Sequence, residues 1–337
     1  MSADSSESVE VLTSAVSVAR FAPSVHNTQP WRWEITMGAL ELFADTRRQL
    51  RLSDPDGRLL TFSCGAALHH ARKALEAQGY PNPAVSRARG RTVTSADPLA
   101  RIALGERGES TEEGIQALRL MMYRHTDRWP VLDEPVPTET LERLSDTAES
   151  EGAHFHVLSD ADVMTLSAIT NEAQRIISAD AKRLDEINEW SGASRSGVGV
   201  PEEAVNPEPG HVRVAPRRFG RARPTHPSDV TDEPDNDNSA VYGVVFATSD
   251  DVPAWLRSGE ALSALWLVAT ELGLSVEPFS EPIEVDATRE RLAGLLSGIG
   301  YPMLVLRIGW AHSPGFTPPA TPRLSLEEIL HRAGEDG

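Results

Sequence analysis

The sequence predicts an α+β chain made of two similar halves, and two observations support that expectation. Helix-period and strand-period patterns alternate along the chain, and the strongest helical pattern of each half has the same layout. Gly65, Ala67, Leu68 and Gly79 recur as Gly259, Ala261, Leu262 and Gly273, a constant offset of 194 residues. The order around them recurs too: a helix at 9–20 and a strand at 31–35 match a helix at 138–150 and a strand at 154–158. Residues 1–122 then form the first half, with 1–8 expected to be flexible, and 123–337 form the second. Two such halves would bury their shared face internally, so a monomer with an intramolecular pseudo-dimer interface is expected.

Apolar positions at Val9, Leu12, Val16 and Ala19 define the first amphipathic helix, which Pro23 ends. Trp31, Trp33 and Ile35 alternate with Arg32 and Glu34, and Leu40, Leu42 and Ala44 continue beyond a Met37-Gly38 turn, so a hairpin follows. Gly65 to Gln78 reads as a small-residue helix suited to close packing, with Gly79 at its C-terminal stop. Pro98 to Leu104 starts a short element, and Glu112 to Met122 is a short helix with Ile115, Leu118 and Met122 on one side.

In the second half Thr138 is a candidate N-cap ahead of Leu141, Leu144 and Ala148, His154 to Leu158 reads as a strand, and Asp160 to Trp190 as two helices broken near Ser178. Val241 to Thr248 reads as a buried strand, Ser258 to Leu272 and Arg289 to Leu296 as helices, and Met303 to Ile308 as a strand. Ser325 with Glu328 three residues on predicts a capping box, and Leu324 and Ile329 take the staple positions. Residues 191–240 are irregular, with an arginine cluster at 213–223 and an acidic run at 229–237. So long a connection is either mobile or a cover over a site.

With 337 residues, 40% hydrophobic and 24% charged, the chain has enough material for a substantial core and is not a disulfide-dependent miniprotein. Its 50 acidic against 32 basic residues, a formal charge of -18, argue against a nucleic-acid partner but leave room for a local basic pocket. The longest apolar stretch, Ala261 to Ala269, is far too short for a bilayer span, so no membrane partner is expected. Met1 to Glu10 lack the positive and apolar regions of a secretory leader. The single cysteine, Cys64, allows no internal disulfide; it reads as a small buried side chain in a reducing, cytoplasmic setting.

Arg124, His125, Thr126 and Arg128 form a cationic, hydroxyl-bearing cluster, and Arg323 stands in Thr321-Pro322-Arg323. Guanidinium forks pair bidentately with phosphate oxygens, and a hydroxyl completes the shell. Spacing alone leaves open a surface patch paired with Asp127 and Glu134. The Ser24 to Trp31 turn joins the amides of Asn27 and Gln29 to a large aromatic, a set that can face a planar heteroaromatic ring or merely anchor a helix-to-strand turn. His69, His70, His154 and His156 lack the spacing of a metal site and read as structural. No dinucleotide fingerprint, Walker loop, nucleophile elbow or zinc-protease motif is present.

Taken together and in order, five segments resemble the nitroreductase-like flavoproteins, and more closely the Acg family of FMN-binding proteins, over about residues 9–332. They are APSVHNTQPW at 22–31, YRHTDR at 123–128, WLRSGEALSALWLVATELGL at 255–274, YPMLVLRIGWA at 301–311 and TPR at 321–323. The resemblance implies a nitroreductase-like α/β sandwich with FMN held between two units, here the two halves. It implies that Arg124, Thr126 and Arg128 contact phosphate and ribityl, that Arg323 is a second phosphate ligand, and that His125 lies beside the flavin. Ser24, Asn27 and Gln29 would reach ribityl and ring from the other half, and Trp31 would be a packing residue. No catalytic side chain is implied, because the chemistry belongs to FMN, with NAD(P)H as donor and a quinone or nitroaromatic as the small-molecule acceptor.

Two departures stand out: Pro302-Met303 where many relatives read Pro-Gln, and Leu324 where a second arginine often follows, which leaves the phosphate grip one charge weaker. The resemblance also implies a lid at 189–206, with Gly192, Gly197 and Gly199, ahead of an irregular insertion at 207–240. A closed lid opposes substrate exchange. The alternative is therefore a non-catalytic protein that stores or sequesters FMN.

Overall fold

The chain builds two sheets, one from residues 31–103 with a last strand from 330–332 and one from residues 154–310, and two long helices meet between them. The structure is a computed structural model describing residues 3–36, 38–88, 90, 92–191, 197–201, 204, 213–215, 217, 237–311 and 321–332. The first helix, Ala3–Ala19 (α1), reaches into the segment expected to be flexible. Strands Trp31–Thr36 (β1) and Ala39–Ala44 (β2) form the expected hairpin, with Trp31 opposite Ala44. Helix Arg58–Ala77 (α2) starts nearly two turns earlier than the small-residue pattern indicates. Residues 58–63 are all buried, so no polar face marks them as helical. Asp54 caps this end from outside: its carboxylate accepts from Leu59 N at 3.0 Å and Leu60 N at 2.8 Å. Strands Ala84–Arg87 (β3) and Pro98–Ala103 (β4) and helix Glu112–Tyr123 (α3) complete the half.

The second half contains Thr138–Ser150 (α4), His154–Val157 (β5), Asp160–Ala179 (α5), Ala181–Glu189 (α6) and Val241–Ala247 (β6). Val252–Glu271 (α7), Leu274–Phe279 (β7), Glu281–Glu284 (α8), Asp286–Leu295 (α9), Tyr301–Trp310 (β8), Leu326–Ile329 (α10) and Leu330–Arg332 (β9) follow. Thr138 is the first helical residue of α4, and the N-cap position falls on Pro137 with no side-chain cap, so the expected threonine cap does not form. Helix α7 starts at Val252, with Asp251 accepting from Ala254 N at 2.9 Å. The capping box at Ser325 is present, but its helix is four residues long and runs directly into β9. Strand β7 escaped the pattern reading because Glu277 and Pro278 interrupt its apolar run. As an edge strand paired only with β8, it tolerates the proline.

The first sheet has the order β3-β4-β2-β1, extended by β9 parallel to β1, and the second has β7-β8-β6-β5. With α7 in the place of α2, the strand order of one sheet repeats that of the other. Helix α2 packs on the first sheet and against α7, which packs on the second. Their backbones approach closely at two glycines. A Cβ at Gly65 would lie 2.0 Å from the Leu256 carbonyl oxygen, and one at Gly259 would lie 1.8 Å from that of Phe62. Phe62 and Leu256 are themselves 194 residues apart, as are His69 and Ser263, which hydrogen-bond at 2.8 Å. Trp31, Trp33, Trp266, Tyr242 and Phe62 are the large side chains of the core, and Cys64 is buried, donating to Pro30 O at 3.2 Å. Residues 192–196, 202–203, 205–212, 216 and 218–236, including Gly192, most of the expected insertion and the acidic run, lie outside the described residues.

Candidate functional site

Between α1 and β1 the chain makes a tight turn in which three non-glycine residues adopt left-handed backbone angles: His26 (φ 50°), Asn27 (φ 53°) and Gln29 (φ 48°). Such residues persist only where surrounding bonds over-determine them. Here they do. The Ser24 hydroxyl accepts from Gln29 N at 3.0 Å. Gln29 Nε2 donates to Gly197 O at 2.8 Å, and its Oε1 accepts from Leu324 N at 2.9 Å. Asn27 Nδ2 donates to Gly199 O at 2.9 Å and Pro322 O at 3.0 Å, while its Oδ1 accepts from Arg323 Nη1 at 3.0 Å. Both amides thus tie three distant segments together.

Beside this turn lies a cavity of about 300 Å³, at the lower end of the range of about 300–1,000 Å³ usual for small-molecule sites. Ser24, Asn27, Arg124, His125, Thr126, Arg128 and Arg323 all line it. Gln29 does not; it is fully buried behind the wall. Phe62 from α2, Leu262 and Trp266 from α7, Phe279 from β7 and Leu304 from β8 make the apolar walls, so both halves contribute.

The charges in the cavity divide into two settings. Arg124 is buried over the Trp266 ring, 4.6 Å from its centroid, and its Nε and Nη1 have no hydrogen-bond partner among the described residues. Burial, then the nearby Arg323 guanidinium, pulls its pKa down to about 9. Burial and Arg20 pull Arg323 down to about 10, and its Nε is also unpartnered. No carboxylate among the described residues pairs with either. Uncompensated buried cations are costly, so this end calls for an anion.

Arg128 sits differently. It donates to Ala204 O at 3.0 Å, and burial lowers its pKa against the opposing pull of Glu277, Glu281 and Asp127. The resemblance groups Arg124 with Arg128 as contacts to one phosphate and ribityl chain; the fold pairs Arg124 with Arg323 and places Arg128 among acids.

No family model matches the chain. A protein named "Putative NAD(P)H nitroreductase" from Mycobacterium tuberculosis H37Rv is 34% identical over 326 residues, covering 95% of this chain and 91% of the relative. "Putative NAD(P)H nitroreductase acg" of the same strain is 31% identical over 344 residues, 99% of each. The chain belongs to this nitroreductase family. Solved structures are more distant. A nitroreductase with bound FMN from Desulfitobacterium hafniense DCB-2 shares 13% identity at a TM-score of 0.39, covering 64% of this chain and 97% of that one. A BluB-like flavoprotein from Clostridium difficile 630 shares 14% at 0.39, covering 63% and 95%. Family membership therefore rests on the sequence relatives.

This nitroreductase-family chain also places in the cavity residues that the sequence reading missed. Arg217 donates from Nη2 to Glu284 Oε1 at 2.7 Å, and its Nε lies 3.4 Å from Glu281 Oε1. Its Nη1 is 3.3 Å from His26 Nε2. Burial alone would raise the Glu284 pKa, but Arg217 and His26 outweigh it and hold the carboxyl below its usual range. The arginine cluster at 213–223 was the only signal for Arg217, and composition does not say which member turns inward. Gly199 N donates to Asn27 O at 3.2 Å, and Val200 and Ala204, from the segment expected to be a lid, line one wall of the cavity. Gly199 has φ 87°, and a Cβ there would lie 2.9 Å from Trp190 O, so this wall requires glycine. Among the described residues no group of His, Cys, Asp and Glu is placed to hold a metal, and no helix is long and apolar enough to cross a membrane.

Proposed function

We propose that this chain is an FMN-dependent oxidoreductase that takes hydride from NAD(P)H and passes electrons to a quinone or nitroaromatic acceptor. The observation that carries the reading is Arg124, a buried guanidinium whose Nε and Nη1 have no hydrogen-bond partner among the described residues, on the wall of a largely apolar cavity. A phosphate monoester attached to a flat ring fits that pair of features, with Arg124 and Arg323 on the phosphate and the apolar walls beside the ring. The Thr126 hydroxyl, His125, Ser24 and Asn27 would hold the linking polyol. Arg128, at the other charge setting, would face the ring edge that becomes negative on reduction. When bound, FMN supplies the hydride chemistry. The side chains orient it, keep the charge balanced and shape access.

The test is anaerobic. Flavin-loaded protein should lose its visible absorbance band with NADH or NADPH and regain it with a quinone or nitro compound. A fully loaded protein that stays oxidised with both nucleotides overturns turnover. It would instead favour a second reading, storage or sequestration of FMN, which the positions of Val200, Ala204 and the inward Arg217 on the cavity wall support.

The repeated strand order and the paired glycines of α2 and α7 further support an internal duplication, with 1–122 and 123–337 as the two halves. In that reading the chain works in the cytoplasm as a monomer, and light scattering at one chain mass, 36.6 kDa, is the expected result.

A further inference from the structure

Arg20 follows α1 directly and precedes Phe21, which lines the cavity and whose carbonyl accepts from Arg323 Nη2 at 3.5 Å. The Arg20 guanidinium lies 4.9 Å from the centroid of the Phe21 ring. Its Nε is buried and unpartnered, and no carboxylate among the described residues pairs with it. Exposed Glu327 feels its charge without forming an ion pair. Elsewhere in this acidic chain buried arginines have acid partners: Arg58 with Asp250, Arg217 with Glu284, Arg307 with Glu277. Arg124 and Arg323 form an exception, and half-buried Arg20, next in the chain to cavity-lining Phe21, adds a third guanidinium; no carboxylate among the described residues forms an ion pair with any of the three.

We propose that Arg20 is the third cation of the anion subsite formed by Arg124 and Arg323, and that it makes this subsite selective for a dianionic phosphate monoester. The proposal rests on the FMN reading. Arg20 is not on the cavity wall, so it acts through the field at Arg323 and is a positioning residue. A phosphate monoester loses its second proton near pH 6, and a third nearby positive charge favours the dianion at and below that pH.

The experiment measures FMN and riboflavin binding to the flavin-free full chain by fluorescence quenching, for wild type, Arg20→Gln, Arg20→Lys and Arg323→Gln. It is joined by a phosphorus NMR titration of bound FMN. Arg20→Gln should weaken FMN about tenfold, the effect of one charge through an effective dielectric of about 20, and change riboflavin by less than about twofold. It should also raise the phosphate pKa, and Arg20→Lys should restore both. Equal losses for the two flavins, or an unchanged FMN affinity and titration, overturn the proposal. If Arg323→Gln abolishes the preference for FMN and Arg20→Gln does not, Arg20 alone is refuted and the FMN reading stands. A wild type that binds neither flavin, or binds them equally, refutes that reading and the proposal with it.

Discussion

Replacing Arg124 with methionine should stabilise the ligand-free protein while removing its grip on FMN. The reasoning starts from the environment of the guanidinium: buried, over Trp266, beside Arg323, with a pKa drawn from 12.5 to about 9. Each tenfold loss of proton affinity corresponds to about 1.4 kcal/mol, which sets an upper bound of several kcal/mol on the cost of the cation at neutral pH. Relaxation and water penetration reduce this, and exchanging buried ionic groups for apolar ones of similar volume commonly gains about 1–4 kcal/mol. For a chain of 337 residues that is a rise of roughly 1–6 °C in melting temperature.

The pH dependence has a definite sign. The folded pKa lies below the unfolded one, so the penalty is complete below pH 9 and fades as pH rises further, and the advantage of the variant should shrink there. The assay is thermal unfolding of both proteins with and without FMN across pH 7–10. FMN should raise the wild-type melting temperature and leave the variant nearly unmoved. A variant that melts below wild type without ligand, yet keeps the full FMN-induced shift, would refute the assignment of Arg124 as an unpaired cation awaiting phosphate.

Arg128→Gln should keep bound FMN but lower its midpoint potential by about 30 mV or more, or about 1.4 kcal/mol for a two-electron couple, as read by dye-equilibrated reduction. Gln29→Ala strands the Gly197 carbonyl and Leu324 N–H, so denaturant titration should show a loss of about 2–3 kcal/mol. Gly259→Ala drives a methyl group into the Phe62 carbonyl, and should cost about 3 kcal/mol or more or prevent soluble expression. Glu284→Gln should destabilise by about 3–5 kcal/mol at neutral pH by leaving Arg217 short of a charge. Because the folded carboxyl titrates below its ordinary 4.5, that difference should vanish progressively as pH falls below 4.5, which acid unfolding of the two proteins would reveal.

Local pattern was a good guide wherever one side of an element meets solvent or another layer. The alternation Trp31, Trp33, Ile35 became a strand with those residues inward, and Gly65 became a point where α2 closely approaches α7. It failed where burial is complete, as at residues 58–63, or where an edge strand admits polar residues and proline, as in β7. The site was legible in part. Seven of the eight expected residues line one cavity, but the amide of Gln29 is spent on the Gly197 and Leu324 backbone. A residue type advertises what bonds it can make; its partner is chosen by whichever distant segment folds against it.

The sequence alone determined the α+β plan, the close helix contact and the identity of the cationic segments, because periodicity, small-residue spacing and residue chemistry are local properties. Tertiary structure alone decided how the charges are shared. Leu324 looks like a missing charge when residues are counted along one segment, yet Arg20, some 300 positions earlier, lies close enough to Arg323 to lower its pKa. It likewise decided that Arg128 and Arg217 have carboxylate neighbours while Arg124 has none among the described residues. Charge acts through space, and spatial neighbours are set by how distant segments of the chain pack.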